Sequence, residues 1–338
     1  MAESPSAPPP FASASVPYRV DLRPLTTSEL IDRGFILYRS HFAGLLLLAL
    51  LCQIAPLLYQ IMVTGLKLMP VDNEVIDHPA AFFQKMGLMM AFGFLTQIVV
   101  YGFEIVMTFY ISDSYLGRIP SVVESLKKFA GRAWATLITC LLSRILIALT
   151  FLFPFLALAA SYFILLFYPP TGFGRALVEG GVAILLLVAS LAPVLIVFMR
   201  LWLTTSIVAL ERFSGWKAVR RSFQLVRYDP GLGIFYWGEM RLSFLLLPLF
   251  IIELLIFSLT SLPLVLFQIG ETVRHGTNGQ VALPPESTVI LSQIMSFVGI
   301  ALILPLYPIA STLFYYDVRI RREGFDLEFM ASQLEGRV

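Results

Sequence analysis

The chain has 338 residues, of which 58% are hydrophobic and 14% charged, and its formal net charge is +2. Soluble domains carry about a quarter charged residues, so this composition argues against a water-soluble globular fold. The near-neutral balance gives no support for nucleic-acid binding, and two cysteines, Cys52 and Cys140, are too few for a disulfide framework.

Residues 1–24 are rich in Pro, Ala and Ser and lack the apolar run of a signal peptide; they read as a disordered cytoplasmic tail. A first amphipathic helix opens at Thr26, with Glu29 three residues on in a capping-box pattern. Leu30, Ile31, Phe35, Tyr38 and Phe42 share one face, and Asp32, Arg33 and Arg39 lie off it. An uncharged run, 43–66, follows, then a polar loop at 67–85 and a second uncharged run at 86–103.

The second amphipathic helix is expected to begin at Pro120, with Val122, Val123, Leu126, Phe129 and Ala130 as its stripe. Runs 145–168 and 180–199 come next, joined by a short turn at 168–175. A third amphipathic helix sets Trp216, Val219, Phe223 and Val226 against Lys217, Arg220, Arg221 and Arg227, and Asp229-Pro230 ends it. A fifth run, 234–267, is interrupted by Glu239, Arg241 and Glu253; the sixth covers 287–316, and a charged segment, 319–338, closes the chain. Each run is near or above the roughly 18 residues that mark a spanning helix.

The basic residues Arg33, Lys127 and Arg221 lie 94 apart, each with a phenylalanine two places on: Phe35, Phe129 and Phe223. This reads as three copies of one unit, a basic amphipathic helix followed by a transmembrane hairpin, at 28–112, 121–211 and 214–316. The predicted fold is therefore an all-α integral membrane protein with six transmembrane helices in three such repeats, the membrane domain spanning 25–318. The three short helices either lie at headgroup level, anchored by Arg33, Phe35, Lys127, Phe129, Trp216, Arg221 and Phe223, or pack on the bundle. Seventeen Lys and Arg fall in the segments at one end of the spans and four in the loops at the other. By the positive-inside rule the richer end, with both termini, is cytoplasmic.

Six ionisable residues fall inside spans. Glu104, Arg144, Arg200, Glu239 and Arg241 lie roughly 10–16 Å in from the basic end at 1.5 Å per residue; Glu253 is deeper and suggests a protonated carboxyl. Such charges are costly, so they pair, snorkel or mark a pathway. The five shallower ones form a candidate belt: a set of ion pairs, or a hydrated cavity whose arginines hold an anionic headgroup or solute through their planar forks. Prolines at 56, 154, 193, 248, 263, 305 and 308 read as bends. Asp317, Asp326 and Glu328, interleaved with Arg319, Arg321 and Arg322, read as a solvated, salt-bridged face. No hydrolase, metalloprotease or P-loop motif occurs, no histidine has ligand spacing, and nothing calls for a metal or cofactor.

Leu25 to Arg39 (LTTSELIDRGFILYR), together with Pro305 to Pro308 (PLYP) and Phe314 to Glu328 (FYYDVRIRREGFDLE), resembles a bacterial family of polytopic membrane proteins. That family is named for the membrane domain joined to some glycerophosphodiester phosphodiesterases. The resemblance implies a bacterial integral membrane protein; the phosphodiesterase activity does not carry over, because the catalytic barrel and its His-Arg dipeptide are missing.

The expectation is a non-enzymatic protein of the bacterial cytoplasmic (inner) membrane, acting as a structural or partner-binding component. Its partners would be the lipid bilayer, including anionic headgroups, and another membrane protein. A second reading is a binder or transporter of phospholipid or a small anionic solute through the arginine-rich belt. A third is a membrane-embedded enzyme of lipid metabolism.

Overall fold

The computed structural model describes residues 23–66, 68, 78–167, 172–227, 238–275 and 285–335. The described residues form helices α1 (Thr27–Ser40), α2 (Phe42–Gly65), α3 (Pro79–Tyr115), α4 (Val122–Ala130), α5 (Ala133–Thr150), α6 (Leu152–Phe167) and α7 (Phe173–Leu201). They continue as α8 (Thr204–Leu210), α9 (Gly215–Val226), α10 (Gly238–His275), α11 (Glu286–Ile303), α12 (Leu306–Glu323) and α13 (Phe325–Glu335). Among the described residues six helical stretches are long and apolar enough to cross a bilayer: Phe42–Gly65, Pro79–Tyr115, Ala133–Phe163, Gly180–Leu210, Gly238–Val273 and Ser287–Glu323. The protein is an all-α, multi-pass membrane protein.

The short helices start where local chemistry dictates. Thr26 caps α1 with both bonds of the capping box: its hydroxyl accepts from the Glu29 N–H, and the Glu29 carboxylate accepts from the Thr26 N–H at 2.8 Å. The second short helix begins at Val122 rather than Pro120, because Ser121 is extended and its hydroxyl caps the Glu124 N–H. α9 ends at Val226, where Arg227 turns extended; Asp229 and Pro230 lie outside the described residues, as do residues 1–22. At the far end the helices outrun their uncharged runs. The segment after Pro79 is the first turn of α3, and α7 already starts at Phe173, within the turn expected at 168–175.

Packing follows one cyclic rule. The spans pair in order, α2 with α3, α6 with α7, and α10 with α11. Each short helix rests on the second span of the preceding hairpin: α4 on α3, α9 on α7 and α8, and α1 on α12. The basic ends of spans two, four and six meet at the centre, where α3 touches α8 and α12, and α8 touches α12. Residues 105–113, 203–209 and 308–318 are buried there almost without a break.

Lipid tails are as apolar as leucine, so burial alone does not gather these helices, and hydroxyl bonds join them pairwise. Tyr101 OH donates to Thr204 Oγ1 at 3.0 Å, Ser206 Oγ pairs with Ser311 Oγ at 2.9 Å, and Ser112 Oγ with Tyr316 OH at 2.7 Å.

Most prolines lie in helices without ending them: Pro56, Pro193, Pro248 and Pro263 lie inside α2, α7 and α10. Two spans do break. Span six turns at Pro305, and span four turns between Leu201 and Thr204, where no proline is present. At the second break the Thr204 hydroxyl turns back on the Leu201 carbonyl at 2.6 Å.

Candidate functional site

The charges inside the spans divide into clasped and unclasped. Arg200 on α7 donates from Nε to Glu239 Oε1 on α10 at 2.8 Å, with Nη2 also 2.8 Å from that oxygen, and its guanidinium lies 5.7 Å from the Phe223 ring. Arg241 does not join them. It donates to Asp317 Oδ2 at 2.8 Å and to the Leu25 carbonyl at 3.0 Å. Glu253 accepts from Tyr307 OH. Glu104 and Arg144 face one cavity, where Arg144 is the charge that acts on Glu104, and they form no ion pair with each other. The five belt residues are thus split over three places.

Asp317 is the residue that sequence reasoning misplaced. Its side chain is 0% exposed. It accepts from the Leu25 N–H at 2.7 Å, from Arg241, and from Arg321 Nε at 3.0 Å, while Arg321 Nη2 also donates to the Leu25 carbonyl at 2.6 Å. α12 runs on past the uncharged run and packs on α1, so a carboxylate expected in solvent is sealed between two segments far apart in sequence.

Asp317 has counterparts. Asp113 at the end of α3 takes Lys128 of α4 at 2.6 Å, and Glu211 after α8 takes Arg221 of α9 at 2.8 Å. Each central span therefore ends in a carboxylate that holds the next short helix or its entry. The recoverable signal was an acid at the end of every even-numbered span, which the recurring base and phenylalanine overshadow.

The proposed surface anchors behave unequally. Phe35 is 38% and Trp216 60% exposed, and Lys127 is exposed. Phe129 instead turns inward, so close that a Cβ at Gly102 would stand 3.0 Å from its ring, and Phe223 lies under Arg200. Arg221 is bound to Glu211 and Glu323. Arg33 is half-buried on α1. The two inward phenylalanines pack on the bundle because small or flat surfaces, Gly102 and a guanidinium, receive them.

Two of the cavities among the described residues adjoin these charges. The outer one, about 720 Å³, opens between the basic ends of spans two, four and six and the start of α5. Arg118, Lys128, Arg132, Arg212 and Arg319 line it against one carboxylate, Asp113. Arg132 Nη1 is tied to the Val208 and Ala209 carbonyls, and its guanidinium lies 5.3 Å from the Phe109 ring. Burial, and then the charge of Arg212, hold Arg132 below the usual arginine range. Arg212 is exposed with φ of 61°, the one non-glycine with positive φ among the described residues. An arginine in that region stores strain of about 1–3 kcal/mol, which the flanking helices must hold.

The inner cavity, about 290 Å³, lies deeper between α3, α5, the α7–α8 break and the α11–α12 break. Among the described residues no three His, Cys, Asp or Glu side chains converge as a metal site.

Helices, clasped charges and cavities that charged side chains border define a polytopic α-helical membrane protein. No family model matches the chain, and no curated protein or solved structure is detectably similar to it.

Proposed function

We propose that this is a non-enzymatic protein of a bacterial inner membrane, with both termini and the basic end in the cytoplasm, that binds phosphate-type anions in the outer cleft. The observation that carries the reading is the cleft itself: five cations face one carboxylate over about 720 Å³, and two of the cations, Arg132 and Arg212, press on each other. Like charges held together are costly, and an anion between them removes that cost. Arginine forks suit phosphate oxygens, and the cleft stands at the level of the headgroups, so the phosphate is that of an anionic lipid or of a soluble metabolite. The seventeen-to-four charge asymmetry and the resemblance of the two end segments support the cytoplasmic and bacterial assignment.

The cyclic packing supports reading 28–112, 121–211 and 214–316 as three copies of one unit. A purely structural component would call for a filled bundle; the two chambers weigh against that reading.

The test is binding of pyrophosphate and of a short-chain anionic phospholipid to the detergent-purified protein. Arg132→Gln and Arg212→Gly are the variants, the second of which also relieves the strained backbone. Each should weaken binding about tenfold, the equivalent of roughly 1.4 kcal/mol for one charge-assisted contact. If neither anion raises the melting temperature of the native chain, the reading fails.

A further inference from the structure

The inner cavity carries a second and independent assignment. It is bordered by two of the interruptions of the spanning helices, Leu201–Thr204 and the turn at Pro305. Irregular backbone at membrane depth persists where it lines a cavity, and broken helices are a recurrent way to build a solute site there. Two polar atoms on its lining residues have no hydrogen-bond partner: the hydroxyl of Ser143, a residue only 4% exposed, and the indole N–H of Trp202. Buried donors without acceptors are destabilising.

Charge gives the third observation. Arg200, Arg241 and Glu253 all have partners within 3 Å or closer, whereas Glu104 and Arg144 face the same void from neighbouring spans with no ion pair between them. A fold that clasps its other intramembrane charges holds this opposite pair apart. A purely anionic ligand would satisfy Arg144 and repel Glu104; a cation would do the reverse. A group with both signs satisfies both. The space, about 290 Å³, is at the lower edge of small-molecule pockets, which run from about 300 to 1,000 Å³.

We propose that the inner cavity binds a small zwitterion, its anionic group on Arg144, Ser143 and the Trp202 N–H, and its ammonium on Glu104. The same headgroup chemistry comes from two sources, a free solute or a zwitterionic lipid reaching in from the bilayer.

The experiment reads Trp202 fluorescence in a chain carrying Trp134→Phe, Trp216→Phe and Trp237→Phe. The probes are phosphoethanolamine, β-alanine, inorganic phosphate and ethanolamine in detergent. Nanodiscs with and without phosphatidylethanolamine form the second arm. Phosphoethanolamine should shift the emission at concentrations at least tenfold below those at which phosphate or ethanolamine does so. Glu104→Gln should erase that preference while leaving pyrophosphate binding at the outer cleft intact, and Arg132→Gln should do the opposite. Ser143→Ala, which removes one donor and little volume, should weaken zwitterion binding several-fold and serves if Glu104→Gln does not fold. A response to phosphatidylethanolamine nanodiscs and not to the soluble probes assigns the lipid source; the reverse assigns a free solute. Equal responses to all four soluble probes, no response in either arm, or a preference that survives both Glu104→Gln and Ser143→Ala would overturn the assignment. Loss of pyrophosphate binding with the zwitterion preference kept would sink the outer-cleft reading alone.

Discussion

At the scale of single residues, Glu29 shows how far local pattern reaches. Its carboxylate accepts from the Thr26 N–H and from Arg23 Nη2 at 2.6 Å, and those bonds, the backbone one first, hold its pKa at about 2 against an ordinary 4.5. A carboxyl with a depressed folded-state pKa contributes stability that is present above the ordinary value and is lost as pH falls toward the folded one. Melting temperatures of the native chain and Glu29→Gln should therefore differ at pH 7 and converge between pH 4.5 and 2. A constant gap over that range would show that Glu29 acts through shape and not charge. Asp317 is the opposite case. Its neighbours in sequence are arginines, which suggest a solvated face. Its actual surroundings, Leu25 and Arg241, are 292 and 76 residues away.

At the scale of helices, the carboxylate clasps set how the short elements dock. Asp113, Glu211 and Asp317 each end a central span and each bind a base or backbone N–H of a later or cyclically next unit. Removing one partner of a buried pair leaves the other charge stranded, at a cost of about 3 kcal/mol or more. Asp317→Asn should lower unfolding stability in detergent by about that much, because Arg241 stays buried. Asp326→Asn, at a position with no such partner, should change it by less than about 0.5 kcal/mol. Equal shifts would mean that Arg241 is held by the Leu25 carbonyl alone. The existence of the spans was readable from long apolar runs, five of them uncharged, since no other segment of such length stays apolar. The break at Leu201–Thr204 was not, because it has no proline and is held by the Thr204 and Ser311 hydroxyls returning to the Leu201 and Trp202 carbonyls.

At the scale of the whole molecule, six spans and one basic end lead to a definite topology. Alkaline phosphatase fused after Arg132 or Arg227 should be inactive and fused after Gly172 active, because the enzyme folds only outside the cytoplasm. The reverse pattern would invert the molecule and place the outer cleft away from cytoplasmic phosphate. The threefold spacing of Arg33, Lys127 and Arg221 pointed to an ordered arrangement, and the packing is cyclic, but those three bases do not occupy equivalent places: Arg221 closes a clasp and Lys127 faces outward.

What the chain determined by itself was what composition and short-range spacing control: membrane residence, the number of spans, the α1 cap and the basic end. Each depends on transfer energy or on bonds within one helical turn, and both are properties of contiguous residues. Tertiary structure decided which charges are clasped and which face a void. A linear reading expects Glu239 near at least one of Arg144, Arg200 and Arg241, and only the rotation of α7 and α10 about their axes assigns it to Arg200 and sends Arg241 to Asp317. The orientations of α3 and α5 likewise leave Glu104 and Arg144 facing one chamber, because at membrane depth a charge is placed by the helix face it occupies and by the neighbour that face meets.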